Sequence, residues 1–141
     1  METKLGHISR APVTTGVPAT WSGHERFVGK HEQRLARLVG LTQFGVNLVT
    51  LEPGSQSALR HWHEAEDEFI YVLEGELTLV DDNGEHRLRA GSFAGFPAGV
   101  ANAHHLFNGA MANASFIVVG SRMPGAETIH YPDDGIGPVK K

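Results

Sequence analysis

Two histidines one residue apart, His61 and His63, stand in a stretch that runs through an acidic segment to Glu68 and closes at Gly75 (PGSQSALRHWHEAEDEFIYVLEG, residues 53–75). Strand side chains alternate faces, so an extended backbone puts both imidazoles on one side and Trp62 on the other. That pairing suits a metal. A first-row divalent cation held by imidazoles takes about three or four protein ligands, so further ligands must come from elsewhere in the chain. Glu68 opens the apolar run Phe69 to Leu73, which reads as the next strand, with 64–67 turning the chain between the two. Glu68, Ile70 and Val72 then share a face, and Gly75 sits at a tight turn.

A second segment, GSFAGFPAGVANAHHLFN (residues 91–108), supplies another candidate ligand. Gly91, Pro97 and Gly99 punctuate a loop, and His104 and Asn108 fall on one face of the strand that follows. The two segments together resemble the paired motifs of the cupin superfamily. Gly54, His61, His63, Glu68 and Gly75 match the first motif, with one extra residue before His61. Gly91, Pro97, Gly99, His104 and Asn108 match the second, with two extra residues before His104. The wording around both motifs and the late HYPDD also resemble small single-domain bacterial cupins of the cupin 2 kind, a group of mostly uncharacterised function. The resemblance implies an all-β double-stranded β-helix, the jelly-roll or cupin barrel, in a single domain. It implies a metal site of His61, His63, Glu68 and His104, and it names no reaction, because one fold hosts many chemistries.

Between the adjacent histidines, strand parity favours His104 over His105 as the coordinating one. His104 keeps the spacing to Asn108 and shares its face, whereas His105 would turn Phe107 inward. Asn108 is expected either to steady a ligand from the second shell of the site or to serve as a turn amide.

The chain has 141 residues, room for one domain that buries roughly two thirds of its unfolded surface. Without cysteine it has neither a disulfide framework nor a thiolate metal site. METKLGHISRAPV lacks an apolar signal core and no apolar run approaches the ~20 residues that span a bilayer, so a soluble cytoplasmic protein without a membrane partner is expected. A formal charge of -4 and a pI near 6.1 argue against a nucleic-acid partner. His7, His24, His31 and His86 stand among polar neighbours and read as solvated.

Residues 1–30 carry many Gly and Pro and are expected to form an N-terminal arm against the barrel or a partner subunit. The barrel is expected over 31–121. Within it EQRLARLV (32–39) fits a helical turn or a strand, with the strand favoured because a β-rich run follows. Further strands are expected near 41–51, 59–63, 68–73, 76–80, 85–89, 93–96, 104–108 and 114–120, about eight to ten in all with Gly and Pro turns between them. Residues 122–141 read as an extended C-terminal tail, in which His130 and Tyr131 are expected to do no more than pack.

Three imidazoles and a carboxylate suit Zn, Fe, Mn, Ni or Co and leave coordination positions for a small organic molecule. The net positive charge of such a centre favours an anionic oxygen guest. Asp67 is expected on the opposite face and Glu66 in the turn, both as solvated charges. Gln43, Asn47, Ile70, Val72, Phe96 and Leu106 are candidate inward residues, and Tyr71 is expected to face away. A metal-dependent dioxygenase, isomerase or lyase follows as the first functional reading, with a non-catalytic sensor or carrier barrel and a metal-free epimerase as alternatives. Exposed strand edges add an expected homodimer through the N-terminal arm.

Overall fold

A computed structural model of the chain describes residues 2–141; Met1, the first residue of the expected arm, lies outside them. The regular structure of the described chain is almost entirely strand: β1 (Thr14–Thr15), β2 (Lys30–Arg34), β3 (Phe44–Leu51), β4 (Trp62–His63), β5 (Glu68–Glu74), β6 (Glu76–Asp81), β7 (Gly84–Arg89), β8 (Phe93–Phe96), β9 (His105–Phe107), β10 (Ala114–Ser121), β11 (Thr128–Tyr131) and β12 (Ile136–Lys140). Besides two short 3-10 turns, the helical content is the single turn α1 (Leu35–Leu38). Among the described residues no helix is long and apolar enough to cross a membrane.

Strand alternation builds the enclosure. A six-stranded sheet runs β1-β2-β3-β10-β5-β8, and two three-stranded sheets run β7-β6-β9 and β12-β11-β4. Val49 and Leu51 on β3, Ile70 and Val72 on β5, and Ala114 and Phe116 on β10 face Leu77 and Leu79 on β6 and Leu106 on β9 across one core. Each of these Val, Leu, Ile and Phe side chains contributes roughly 1.5–3 kcal/mol by leaving water. The result is a jelly-roll barrel.

Gly75 is where the chain leaves the large sheet for the small one. Its φ is +78°, and a Cβ there would come within 2.7 Å of the Asn113 carbonyl oxygen and 2.9 Å of Ala114. Only glycine meets both demands.

Three expectations are corrected. Residues 32–39 divide: β2 ends at Arg34 and Leu35–Leu38 forms a helical turn. Leu, Ala and Arg are strong helix formers, and Gly40, at φ +77°, ends the turn in the left-handed region. In 59–63 only Trp62–His63 is strand, and His61 makes an isolated bridge to His104. Side chains take carbonyls that a longer ladder would use: Leu59 O accepts from His61 Nδ1, and Ala58 O accepts from Gln56 and His105.

The third correction is the largest. The segment read as an extended tail folds into the β11–β12 hairpin and pairs with β4, Ile129 opposite His63 and His130 opposite Trp62. Its strand–turn–strand signal, TIHY then PDDG then IGPVK, was hidden by the density of Gly and Pro. At the other end, Thr14 and Thr15 pair with Glu32 and His31 of the same chain, and Gln33 holds the carbonyls of Ile8 and Ala11.

Candidate metal centre

The centre is assembled by three elements. β4 and the bridge before it carry His63 and His61, the first residue of β5 is Glu68, and His104 immediately precedes β9. Because His104 has the parity of Leu106, which is buried in the core, it turns inward; His105 instead bonds the Ala58 carbonyl through Nδ1 at 3.0 Å. One ligand-type atom from each of His61, Glu68 and His104 lies within 4.8 Å of the others, a spacing one cation can span. His104 Nε2 is 2.5 Å from Glu68 Oε1, and His61 Nε2 is 3.9 Å from the same oxygen.

His63 joins them by ring contact, its centroid 5.0 Å from that of His61 and edge-on to it. Its ligand nitrogens are not all within the 4.8 Å group; Nδ1 belongs to a second cluster with Glu66 and Glu127.

A common pattern links the three imidazoles. Each places Nδ1 against an acceptor: Leu59 O at 2.7 Å for His61, Glu127 Oε2 at 3.1 Å for His63, and Asn102 O at 3.2 Å for His104. A carbonyl or carboxylate can only accept, so the proton sits on Nδ1 and the Nε2 lone pair is free. At His104 that lone pair faces a carboxylate oxygen, an encounter that needs a proton or a cation between them. At His63 it is buried with no partner among the described residues. An unpartnered buried nitrogen is costly unless a ligand completes it, and the donor set of imidazoles and one carboxylate is that of a first-row divalent cation. The residues present therefore fit a metal.

Electrostatics point the same way. Burial lowers the His61 pKa to about 4, with the Glu68 charge opposing and the neighbouring His104 and His63 assisting, so the ring is neutral at ordinary pH. Burial pushes the Glu68 carboxyl up, but the His104 Nε2 contact at Oε1 and the surrounding imidazoles of His61, His104 and His63 outweigh it and hold the group below the usual carboxylate range. A neutral imidazole and an ionised carboxylate are the forms that bind metal.

The site opens into a cleft of about 670 Å³ whose wall includes Ile70, Phe96, Phe116 and Val118, with the Phe96 ring stacked on His104 at 3.5 Å between centroids. Asn47 and Leu106 also line it, as expected for inward residues; Gln43 is exposed and Val72 is sealed in the core. Tyr71 is 40% exposed and faces away. Tyr131 lines the cleft with its ring centroid 6.0 Å from His61, and burial raises its pKa.

Of the two roles expected for Asn108 the structure shows the second, and the expectation for Glu66 is corrected. The Asn108 side chain touches no ligand: Nδ2 donates to Leu51 O and Ala112 O, and Oδ1 accepts from Ala110 N–H. It is a turn amide, fully buried because three backbone groups need it. Glu66 is not a free surface charge, since its side chain is 15% exposed, 3.9 Å from His63 Nδ1, and accepts from Met123 N–H. Glu127 was missed altogether. Nothing in its local sequence marks it, because its partner His63 lies far away in the chain.

Comparison with known proteins follows the same lines. A model of the cupin domain matches residues 47–120. The crystal structure of a sugar phosphate isomerase of the cupin superfamily from Silicibacter pomeroyi superposes with a TM-score of 0.86 at 41% identity, covering 96% of this chain and 91% of that one. A putative sugar phosphate isomerase from Acidithiobacillus ferrooxidans gives a TM-score of 0.75 at 31% identity, over 89% of this chain and 77% of that one. Quercetin 2,3-dioxygenase of Bacillus subtilis is 29% identical over 83 residues, 59% of this chain, which spans a quarter (25%) of that enzyme's length. With its paired motifs, its jelly roll and this likeness over almost the whole chain, the protein belongs to the cupin superfamily.

Proposed function

We propose that this chain is a metal-dependent cupin enzyme that isomerises a small phosphorylated sugar or a closely related hydroxy-carbonyl compound. The observation that carries the metal reading is the convergence of His61, Glu68 and His104 beside the buried, unpartnered Nε2 of His63. His61, His63, Glu68 and His104 would hold the ion, and Zn, Fe, Mn, Ni and Co all suit that set. When bound, such an ion supplies Lewis-acid polarisation of a substrate carbonyl or hydroxyl oxygen.

The chain's own residues do the remainder. His61 and His104 keep Nε2 inward by spending Nδ1 on backbone carbonyls. Ile70, Phe96 and Val118 exclude water from one wall of the cleft, while Tyr131 presents a hydroxyl and Glu66 a proton-accepting carboxylate to it. Arg122 and Lys141 also line the cleft and suit an anionic group such as a phosphate, while Lys30 there lies 3.5 Å from Glu32. The isomerase names of the two relatives that cover most of this chain favour this chemistry; the dioxygenase relative supports oxygenation as the second reading.

The test is turnover of aldose and ketose phosphates by protein loaded with each metal, read by solvent deuterium entering the substrate, with His61→Ala as control. Oxygen uptake on flavonols and catechols decides the second reading. Ligand-induced thermal shifts without turnover, in protein with a filled metal site, would leave a binding barrel and overturn the enzyme.

The expected homodimer is part of this proposal, with the outer face of the large sheet in place of the arm. Phe69, Tyr71 and Leu73 on β5 and Phe93 on β8 are 40% to 67% exposed on that face, and the Phe69 and Phe93 rings stack at 5.9 Å. Ile117 and Val119 continue the apolar surface on the neighbouring strand. A second copy of this chain is the occupant such a face suits.

A further inference from the structure

We infer that Glu127 is the positioning residue of His63, fixing its Nδ1–H tautomer and its ring so that the Nε2 lone pair is presented to the metal centre. The inference rests on the metal reading above but concerns a residue outside the 47–120 region that matches the cupin domain.

The geometry is complete on the carboxylate side. The Glu127 side chain has no exposed surface, and Oε2 lies 3.1 Å from His63 Nδ1. Its other oxygen accepts from Ala65 N–H at 3.2 Å, so the carboxylate cannot rotate away. His63 and its neighbours on both sides are fixed to the same strand: Trp62 pairs with His130, His63 pairs with Ile129, and Glu64 N–H donates to Thr128 O at 3.0 Å. Glu127 stands immediately before that strand, which makes the C-terminal hairpin part of the centre.

The consequence is chemical. His61 and His104 orient their rings on backbone carbonyls, which carry only a partial charge. His63 alone of the three has a carboxylate at Nδ1, and a carboxylate behind an imidazole both locks the tautomer and raises the basicity of the other nitrogen. Its Nε2, buried and without a partner among the described residues, is the atom this arrangement frees.

Long-range proton–nitrogen NMR of the metal-free full chain reads the tautomer, cobalt(II) titration reads the affinity, and thermal melting of the metal-free protein reads the fold. In the wild type His63 carries its proton on Nδ1. In Glu127→Gln the tautomers mix and cobalt(II) binds about 10- to 100-fold more weakly, with melting little changed. An Nε2–H tautomer in the wild type, or a folded Glu127→Gln with unaltered tautomer and affinity, overturns the inference. Should Glu127→Gln fail to fold, the wild-type tautomer decides alone. Should the wild type bind no cobalt while the tautomer still follows Glu127, the metal reading falls and the positioning of His63 stands.

Discussion

His104 Nε2 and Glu68 Oε1 meet at 2.5 Å across 36 residues of sequence, the tightest polar contact within the centre. His104 is 4% exposed, so it depends on that carboxylate more than on water. Removing the carboxylate in Glu68→Ala leaves the imidazole buried and unsatisfied, and the metal-free protein loses about 1–3 kcal/mol in urea unfolding. The same variant binds cobalt(II) far more weakly than the wild type. Unchanged stability and affinity together would show that the contact matters to neither.

Acid should destabilise the metal-free protein earlier than ordinary carboxylates require. The unfolded chain protonates His61 near its ordinary 6.5, but the folded chain does so only at about 4. The unfolded state therefore binds more protons across that window, and stability falls as pH falls. The depressed Glu68 carboxyl acts in the same direction at the acid end. Urea midpoints are expected to be level above about pH 6.5 and to decline below it. His61→Phe flattens the upper part of the decline; a midpoint indifferent to pH in the wild type contradicts the burial of a neutral ring.

A cation that binds only the folded state raises stability by mass action. At about a hundred times Kd the gain is about 2.7 kcal/mol. Chelator-treated protein should melt lower, recover on adding cobalt(II), and show no such recovery in His61→Ala. Recovery in that variant would place the ion elsewhere.

Arg60 ties the C-terminal hairpin to the barrel. Its Nε donates to Asp133 at 2.6 Å, and Nη1 reaches Asp82 and the Ala103 carbonyl. The aspartates are about half exposed, so Arg60→Ala is expected to cost only about 1 kcal/mol of global stability. Hydrogen exchange in β11 and β12 is expected to quicken well beyond that of β3 and β10, because the hairpin opens as a local unit. Uniform exchange across all strands would deny Arg60 this role.

Light scattering on the wild type should give twice the chain mass, and Phe93→Glu should give one. A wild-type monomer would exclude the apolar sheet face as a subunit contact.

Much of this was legible before any coordinates. Alternation is local, so Glu68, Ile70 and Val72 could be assigned to one face of a strand, and the parity of His104 with Leu106 could be read within a few residues. Turn chemistry at Gly75 is equally local. What sequence could not deliver were relationships decided by who lies opposite whom. The pattern of 32–39 permitted a strand or a helical turn, and only the end of the β2 pairing with β3 at Arg34 divided it, leaving Leu35–Leu38 to its helix-forming residues. Asn108 was claimed by backbone carbonyls and an N–H of its own turn and of β3, and not by a ligand. Glu127 gained its meaning only when β11 closed against β4, bringing a carboxylate from near the end of the chain behind His63. The types of ligand and their facing were determined by residue order, whereas their support came from strand pairing, which no period in the sequence encodes.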